Sequence, residues 1–403
     1  MPRDGARPHE APIEASDGSF YGTTLQGGDG FGTIYKLTPN GDYSVLYRFQ
    51  NGANDGANPV GQLVQGGDGA LYGVTIIGGR FLRGTAFRVD LNGNHTLLHE
   101  FGQSDAQGHN PEYGLMLASD GFLYGTTGQG GGNPCVASED GCGTIFRLST
   151  SGEHTVLYAF PRFEGDGAVP KGELREGDDG NFYGATGIGG LPDCGNNLQV
   201  VGCGTIFRMT PQGQVTVLHR FGSGRVNGDI SDGVSPITTL TKGPDGAFYG
   251  TTEAGGTGTC SFTLGCGTIF RITEAGDYSS LYQFSVNTGT IVVIDGRNVG
   301  AKIDGFSPAR RLVLGPDNKL YGATRHGGER DSLESGTLFR ISVQGKKETI
   351  FHFDNITGKP GYPWGGLLLA SDGNFYGTTL DNNRLGATGP RTGAGTIFKM
   401  TAP

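Results

Sequence analysis

The sequence predicts an all-β fold, a seven-bladed β-propeller with four-stranded antiparallel blades. Three observations predict it. The phrase "DGNFYGTT" at Asp372 has near-copies at Asp17 ("DGSFYGTT"), Asp68 ("DGALYGVT"), Asp120 ("DGFLYGTT"), Asp179 ("DGNFYGAT"), Asp245 ("DGAFYGTT") and Asp317 ("DNKLYGAT"). The copies stand between 51 residues (Asp17 to Asp68) and 72 residues (Asp245 to Asp317) apart, and repetition at such a period marks units that share one core. Each unit carries four short runs rich in β-branched and aromatic residues, the count of one propeller blade. The 77 glycines fall at fixed places beside these runs, where they read as turns of a folded β protein. An open solenoid is the alternative, but nothing in the chain resembles a polar cap.

The unit around Asp120 shows the elements in order: "YGLMLA", "FLYGTT", "GTIFRL" and "HTVLYAF". The first two runs meet at a Ser-Asp-Gly turn and the last two at a turn ending in Gly152, both hairpin signals because Asp and Gly tolerate positive φ. A proline precedes every repeat Asp by nine residues (Pro8, Pro59, Pro111, Pro170, Pro236, Pro308 and Pro363). Its fixed φ and missing N–H suit the start of a strand. The chain opens with "DGARPHEAPIEASDG", matching "DGANPVGQLVQGGDG" ahead of the second repeat, and stops at "GTIFKMTAP". If the run ahead of each Asp-Gly is innermost, the last blade lacks its outermost strand, since a gap inside a blade would strand backbone polar groups. Residues 1–403 are therefore expected to form one propeller domain. An insertion, "SVNTGTIVVIDGRNVGAKI" from Ser285 to Ile303, reads as a hairpin placed to act as a lid.

The joined phrases "DGNFYGTT", "GTIFKM" and "TVLYAF" resemble the GloVer-type tandem repeat of secreted bacterial proteins, and the likeness covers nearly the whole chain. It implies an extracellular, propeller-like repeat protein, and it brings no catalytic residue with it.

Composition excludes several functions. Net charge is −9 and Lys/Arg form no cluster, which argues against nucleic acid or an anionic membrane surface as partner. No apolar run approaches the ~20 residues of a membrane span. The six cysteines form local couples, Cys135 with Cys142, Cys194 with Cys203 and Cys260 with Cys266. Short loops that each hold two cysteines point to three disulfides and hence to a secreted, periplasmic or cell-surface home. No signal peptide stands within this chain. No metal or cofactor is expected. The repeated Asp ahead of the proline (Asp4, Asp55, Asp166, Asp232, Asp304) reads as an Asx-type turn rather than a Ca2+ ligand.

Repeats permit a subtraction: residues shared by most units hold the blade, and odd residues at shared positions are candidates for a ligand. His95, His99, His154 and His219 stand where other units carry Tyr, so they read as packing residues. After "YGTT", the fifth repeat has Glu253, the sixth Arg325-His326 and the seventh Asp381. After the proline, the third repeat has Glu112-Tyr113, the fourth Lys171, the sixth Arg310-Arg311 and the seventh Trp364, with Tyr362 two residues before it. His109 joins them on the loop-rich face, where binding residues concentrate. The pattern suits a monomeric, carbohydrate-directed propeller acting on an acidic polysaccharide or oligosaccharide. Trp364, Tyr113 and Tyr362 would stack on sugars. Arg310, Arg311 and Arg325 would hold a uronate carboxylate. His326 or Tyr113 would serve as base for β-elimination by a polysaccharide lyase. A glycoside hydrolase would instead use two facing acids among Glu112, Glu173, Glu253 and Asp381, while Lys171 and His109 would add binding contacts. The alternatives are a non-catalytic glycan- or protein-binding module and a purely structural scaffold.

Overall fold

A computed structural model of the chain describes residues 4–132, 135, 140–161, 165, 167–191, 194, 202–226, 229–258, 260, 265–285, 291–294, 297–301, 303–328, 335–353, 361–381 and 395–402. The fold is a seven-bladed β-propeller built from small antiparallel sheets, and the one helical element among the described residues is a single 3-10 turn at Asp105–Gln107. The second blade shows the complete pattern: Gly56–Gln65, Leu71–Gly78, Thr85–Val89 and His95–Glu100, paired in that order. Among the described residues the seventh blade has three strands, Gly361–Leu369, Phe375–Asp381 and Thr396–Met400, as the strand count predicts. Packing divides the chain into two compact units, residues 1–189 with 206–217, and residues 190–205 with 218–403. Within the insertion, Ile291–Ile294 pairs antiparallel with Arg297–Ala301. The Asp-Gly turn between these two strands lies outside the described residues, as does Asp166.

The repeated phrase is a structural device. In all seven blades the tyrosine hydroxyl donates to the aspartate four residues earlier, at 2.7–3.1 Å. The other carboxylate oxygen accepts the N–H two residues on, closing the turn, as at Asp68 with Ala70. A cation from the third strand completes the set, for example Arg88 on Asp68 at 2.8 Å and Arg271 on Asp245 at 2.7 Å. The glycine after the tyrosine has a steric cause: a Cβ at Gly125 would stand 2.5 Å from the Phe146 ring. In blades one, two, three, five, six and seven the threonine that ends the "YGTT"-type phrase meets the threonine of the "GTI"-type phrase through their hydroxyls at 2.7–2.9 Å.

The first strand departs from the expected unbroken run. It is continuous in blades two and seven, interrupted in blades one, four and six, and reduced to Met116–Leu117 and Thr241–Lys242 in blades three and five. The prolines mark a backbone feature common to all seven blades, whether or not the strand is interrupted. Each is preceded by a residue in the left-handed region: Arg7, Asn58, Asn110, Val169, Ser235, Ser307 and Tyr362, with φ from 50° to 63°. Proline normally pushes the preceding residue toward extended backbone, so this conformation is strained and must be held from outside. In blades two to seven it is held by the preceding blade. The N–H groups of Asn58, Asn110, Val169, Ser235, Ser307 and Tyr362 donate to the carbonyls of Phe31, Arg83, Cys142, Cys203, Cys266 and Ser335 at 2.7–2.9 Å. The proline ring then covers the glycine that follows that carbonyl, as Pro170 covers Gly143.

Aromatic contacts repeat the same interlock. The phenylalanine ending one blade packs on the third-strand phenylalanine of the next: Phe49 on Phe87, Phe101 on Phe146, Phe160 on Phe207, Phe221 on Phe270, Phe284 on Phe339 and Phe353 on Phe398, at 5.2–5.7 Å. Burying each such ring stabilises by roughly 1.5–3 kcal/mol. On the outer strands a second set of stacks joins blades, Tyr47 with His95, His99 with His154 and His219 with Tyr278, at 3.7–4.4 Å. The histidines at tyrosine positions therefore pack between blades.

Candidate functional site

Two groups of the sequence-selected residues come together, one in each unit. In the unit of residues 218–403, the group is built on the first strand of blade seven and the second strand of blade six. Trp364 is partly exposed, and the Arg325 guanidinium carbon lies 3.9 Å from the centre of its ring. That of Arg310 lies 5.2 Å from the same ring. Tyr362 stacks with Trp364 at 5.8 Å, and His326 meets Tyr362 edge-on at 5.4 Å. Phe306 stacks on His326 at 4.9 Å, because the two are cross-strand partners.

Arg325 is the electrostatic centre of this group. Its side chain is 4% exposed, and Nη1 donates to Glu253 Oε1 at 2.6 Å. Burial pushes its pKa below the usual arginine range, Glu253 opposes that shift and Arg310 adds to it. The guanidinium nevertheless keeps its proton at any physiological pH. Arg325 and Glu253 occupy the same repeat position, directly after "YGxT", in adjacent blades. Arg311 lies beside this group: it bridges to Thr239 in parallel, and the Arg310 carbonyl accepts the Thr239 N–H at 2.9 Å.

The group in the other unit centres on blades three and four. Lys171 Nζ lies 2.8 Å from Glu112 Oε2 and 5.8 Å from the centre of the Tyr113 ring. Tyr113 is 5% exposed. Glu173 accepts the Gln62 N–H at 3.1 Å. Glu112 and Lys171 again share a repeat position in adjacent blades, the one after the proline.

Two candidates stand elsewhere. His109 is fully buried, with Arg83 Nη1 2.7 Å from its Nε2. Burial and the Arg83 charge hold its pKa below the ordinary histidine value. It occupies the position of Ala6, Ala57 and Ala168, two residues ahead of the proline, which explains the burial. The backbone of Asp381 pairs with Gly361 at the end of the blade-seven sheet. Sequence reasoning missed Phe306, which stands at that same position two residues ahead of the proline. A large ring where most units carry a small residue was the available signal.

Among the described residues, no group of three or more His, Cys, Asp or Glu side chains is placed to hold a metal ion. The repeated aspartates bind backbone instead: Asp55 accepts the N–H groups of Gln50 and Gly56 at 2.8 and 2.7 Å, and Asp232 those of Gly222 and Ser223 at 3.1 and 3.2 Å. Three disulfides close the loops Cys135–Cys142, Cys194–Cys203 and Cys260–Cys266, and disulfides persist in oxidising, extracytoplasmic compartments.

The Gloeobacter/Verrucomicrobia repeat matches residues 2–198 and 137–298, well over half of the sequence. The chain belongs to that family. Two solved structures share the architecture of this Gloeobacter/Verrucomicrobia repeat propeller. One is the extracellular domain of a protein named as a hybrid two component system of B. thetaiotaomicron, with 11% identity and a TM-score of 0.55 over 93% of this chain. The other is the extracellular domain of a protein named as a one component system of the same organism, with 13% identity and a TM-score of 0.53 over 98% of this chain. The repeat propeller spans 37% and 40% of the lengths of those chains. At such identities the likeness is one of fold. No curated protein matches the sequence. Among the described residues, no helix is long and apolar enough to cross a membrane.

Proposed function

We propose that this repeat propeller is a secreted or surface carbohydrate-directed protein whose Trp364 group holds an acidic polysaccharide and serves β-elimination. The observation that supports this reading is the partly exposed Trp364 ring, stacked with Tyr362 and laid against a buried guanidinium. An aromatic face beside a fixed cation suits a sugar ring that carries a negative charge.

In the proposed reaction, His326 removes the proton from the ring carbon bearing the uronate carboxylate, and the arginines stabilise the enolate-like charge. The electron pair then forms the new ring double bond as the bond to the leaving sugar oxygen breaks, and that oxygen takes up a proton. Elimination is favoured over hydrolysis because hydrolysis requires two facing carboxyl groups, whereas Glu253 is paired with Arg325, Glu112 with Lys171 and Glu173 accepts the Gln62 N–H, and the Asp381 side chain lies outside the described atoms. The paired strands Ile291–Ile294 and Arg297–Ala301 stand just ahead of the strand Ile303–Pro308 in the chain, and they would serve as a lid. The competing reading, a glycan-binding module without chemistry, draws on the aromatic contacts of His326 with Phe306 and Tyr362, which also suit a packing role.

A panel of polysaccharides separates these readings. New ultraviolet absorbance on a uronate polymer marks elimination, new reducing ends without it mark hydrolysis, and binding with neither marks the module. His326→Ala should abolish turnover and leave binding nearly intact. An unchanged rate would remove His326 as the base.

A further inference from the structure

Arg325 has two edges. Nη1 is engaged by Glu253. Nε and Nη2 lie sealed from solvent and have no hydrogen-bond acceptor among the described residues. Leaving one buried donor unpaired costs about 1–3 kcal/mol, and more when the group is charged, so two on one guanidinium are not a neutral outcome of packing. These two N–H groups point the same way along one in-plane edge of the guanidinium. Their spacing matches the two oxygens of a carboxylate, which they take up as parallel hydrogen bonds.

We infer that the Nε–Nη2 edge of Arg325 is a two-pronged seat for one carboxylate, so that the site demands an unesterified uronate unit. This rests on the carbohydrate-directed function proposed above and names the group recognised. Two guanidinium groups, those of Arg325 and Arg310, approach the Trp364 ring, a setting that suits an anionic ligand group. Shape favours a planar one. The Trp364 ring, 3.9 Å from the guanidinium carbon, covers the cation on one side and crowds an oxygen that projects out of the guanidinium plane, as one does in a sulfate ester.

Three probes of equal length test the inference on the whole protein: an oligogalacturonate, its methyl ester and a sulfated neutral oligosaccharide, each titrated by calorimetry. Expected is binding of the acid about 10- to 100-fold tighter than the ester, the equivalent of one charge-assisted pair. The sulfated probe should behave like the ester. Arg325→Lys should erase the preference, because an ammonium lacks the fork, while Trp364→Ala should weaken acid and ester alike. A direct readout on unaltered protein guards against misfolded variants: the Arg325 Nε–H resonance, assigned by its loss in Arg325→Lys, should shift downfield as glucuronate is added. Equal binding of acid and ester, or preference for the sulfated probe, overturns the seat and leaves the carbohydrate reading standing. Binding of none of the three overturns the carbohydrate reading, and an Nε–H resonance unmoved by glucuronate then overturns the seat as well.

Discussion

Acid should loosen the junction between blades two and three well before it reaches the carboxylates, and the stacked pair His99–His154 sets the size of the effect. The two rings lie 4.1 Å apart and nearly parallel. Phe101 meets both, and Phe146 lies 5.2 Å from His154. Neither Nε2 reaches solvent or, among the described residues, a hydrogen-bond partner. A proton on either ring would put a cation among aromatic faces and against a second imidazole. Burial therefore pushes His99 down to about 4, with Glu100 opposing weakly, and burial together with His99 pushes His154 down to about 3.

Unfolded histidine titrates near 6.5, so between pH 6.5 and about 4 the unfolded chain binds protons that the native chain refuses. The depressed histidines are neutral in both states above pH 6.5 and cost the fold stability as pH falls below it. At about pH 5 each ring contributes a loss of about 2 kcal/mol, about 4 kcal/mol for the pair. The repeat aspartates act in a separate window. Asp68, Asp245 and Asp317 are held below the ordinary 3.8 against the burial that alone would raise them, chiefly by hydrogen bonds from Arg88, from Arg271 and from the Lys319 N–H respectively. Their contribution is present above that value and is lost as pH falls further. Urea unfolding followed by circular dichroism from about pH 7.5 to about pH 5 measures the histidine slope. His154→Tyr places at 154 the residue that pairs with His219 as Tyr278, at 3.7 Å, and should remove about half of the pair's share of the slope. Adding His99→Tyr should remove the rest of that share and leave the part due to His95 and His109, which burial also holds below the ordinary value. A slope unchanged in the double variant would refute the assignment.

Gly143→Ala should destabilise by roughly 3 kcal/mol or more, because φ is +93° and the new Cβ would stand 2.2 Å from the Thr127 carbonyl oxygen and 2.9 Å from the Pro170 ring. Gly121→Ala, at φ +82° with nothing within 4 Å, should lose only the ~1–2 kcal/mol of the left-handed conformation; equal shifts in thermal melting would contradict the clamp. Phe160→Ala should cost about 3–5 kcal/mol in urea unfolding, whereas Phe81→Ala, at a ring 42% exposed, should change stability by under about 0.5 kcal/mol. Thiol titration of the unfolded, unreduced chain should find almost no reactive cysteine, and six reactive thiols would overturn the extracytoplasmic assignment.

The fold was legible because each blade repeats a local solution. Asp, Gly and Tyr of one phrase close a turn, anchor a hydroxyl and clear room for a phenylalanine, and all three requirements are visible in a line of sequence. The thin seventh blade was legible by counting runs. The role of the prolines was not. Proline before a strand reads as a strand start, whereas it sits on the glycine of the neighbouring blade and follows a left-handed residue. That contact joins segments about 27 residues apart, as Gly143 and Pro170 are, and no local pattern reports it. The site was half legible. Subtracting the repeat found Glu253, Arg325 and Trp364, but not that they meet, and it overlooked Phe306 at the position that buries His109.

Both charged pairs arise where neighbouring blades depart from the repeat at the same position, and physical chemistry separates them. Glu112 and Lys171 are 36% and 23% exposed, so their attraction is screened and contributes about 0–1 kcal/mol. That pair needs no purpose beyond tying two blades. Arg325 is 4% exposed with Glu253 at 34%, and a cation so far from water loses several kcal/mol of hydration that one carboxylate does not restore. Blades one and seven carry Leu25 and Leu380 at this position, so the scaffold accepts an apolar residue there. Replacing the pair together, Arg325→Leu with Glu253→Leu, should leave the urea midpoint unchanged or raised, by up to about 1–4 kcal/mol, while uronate binding disappears. A double variant destabilised by several kcal/mol would make the pair a brace of the fold. A stable one that no longer binds would mean the buried charge is retained for a ligand.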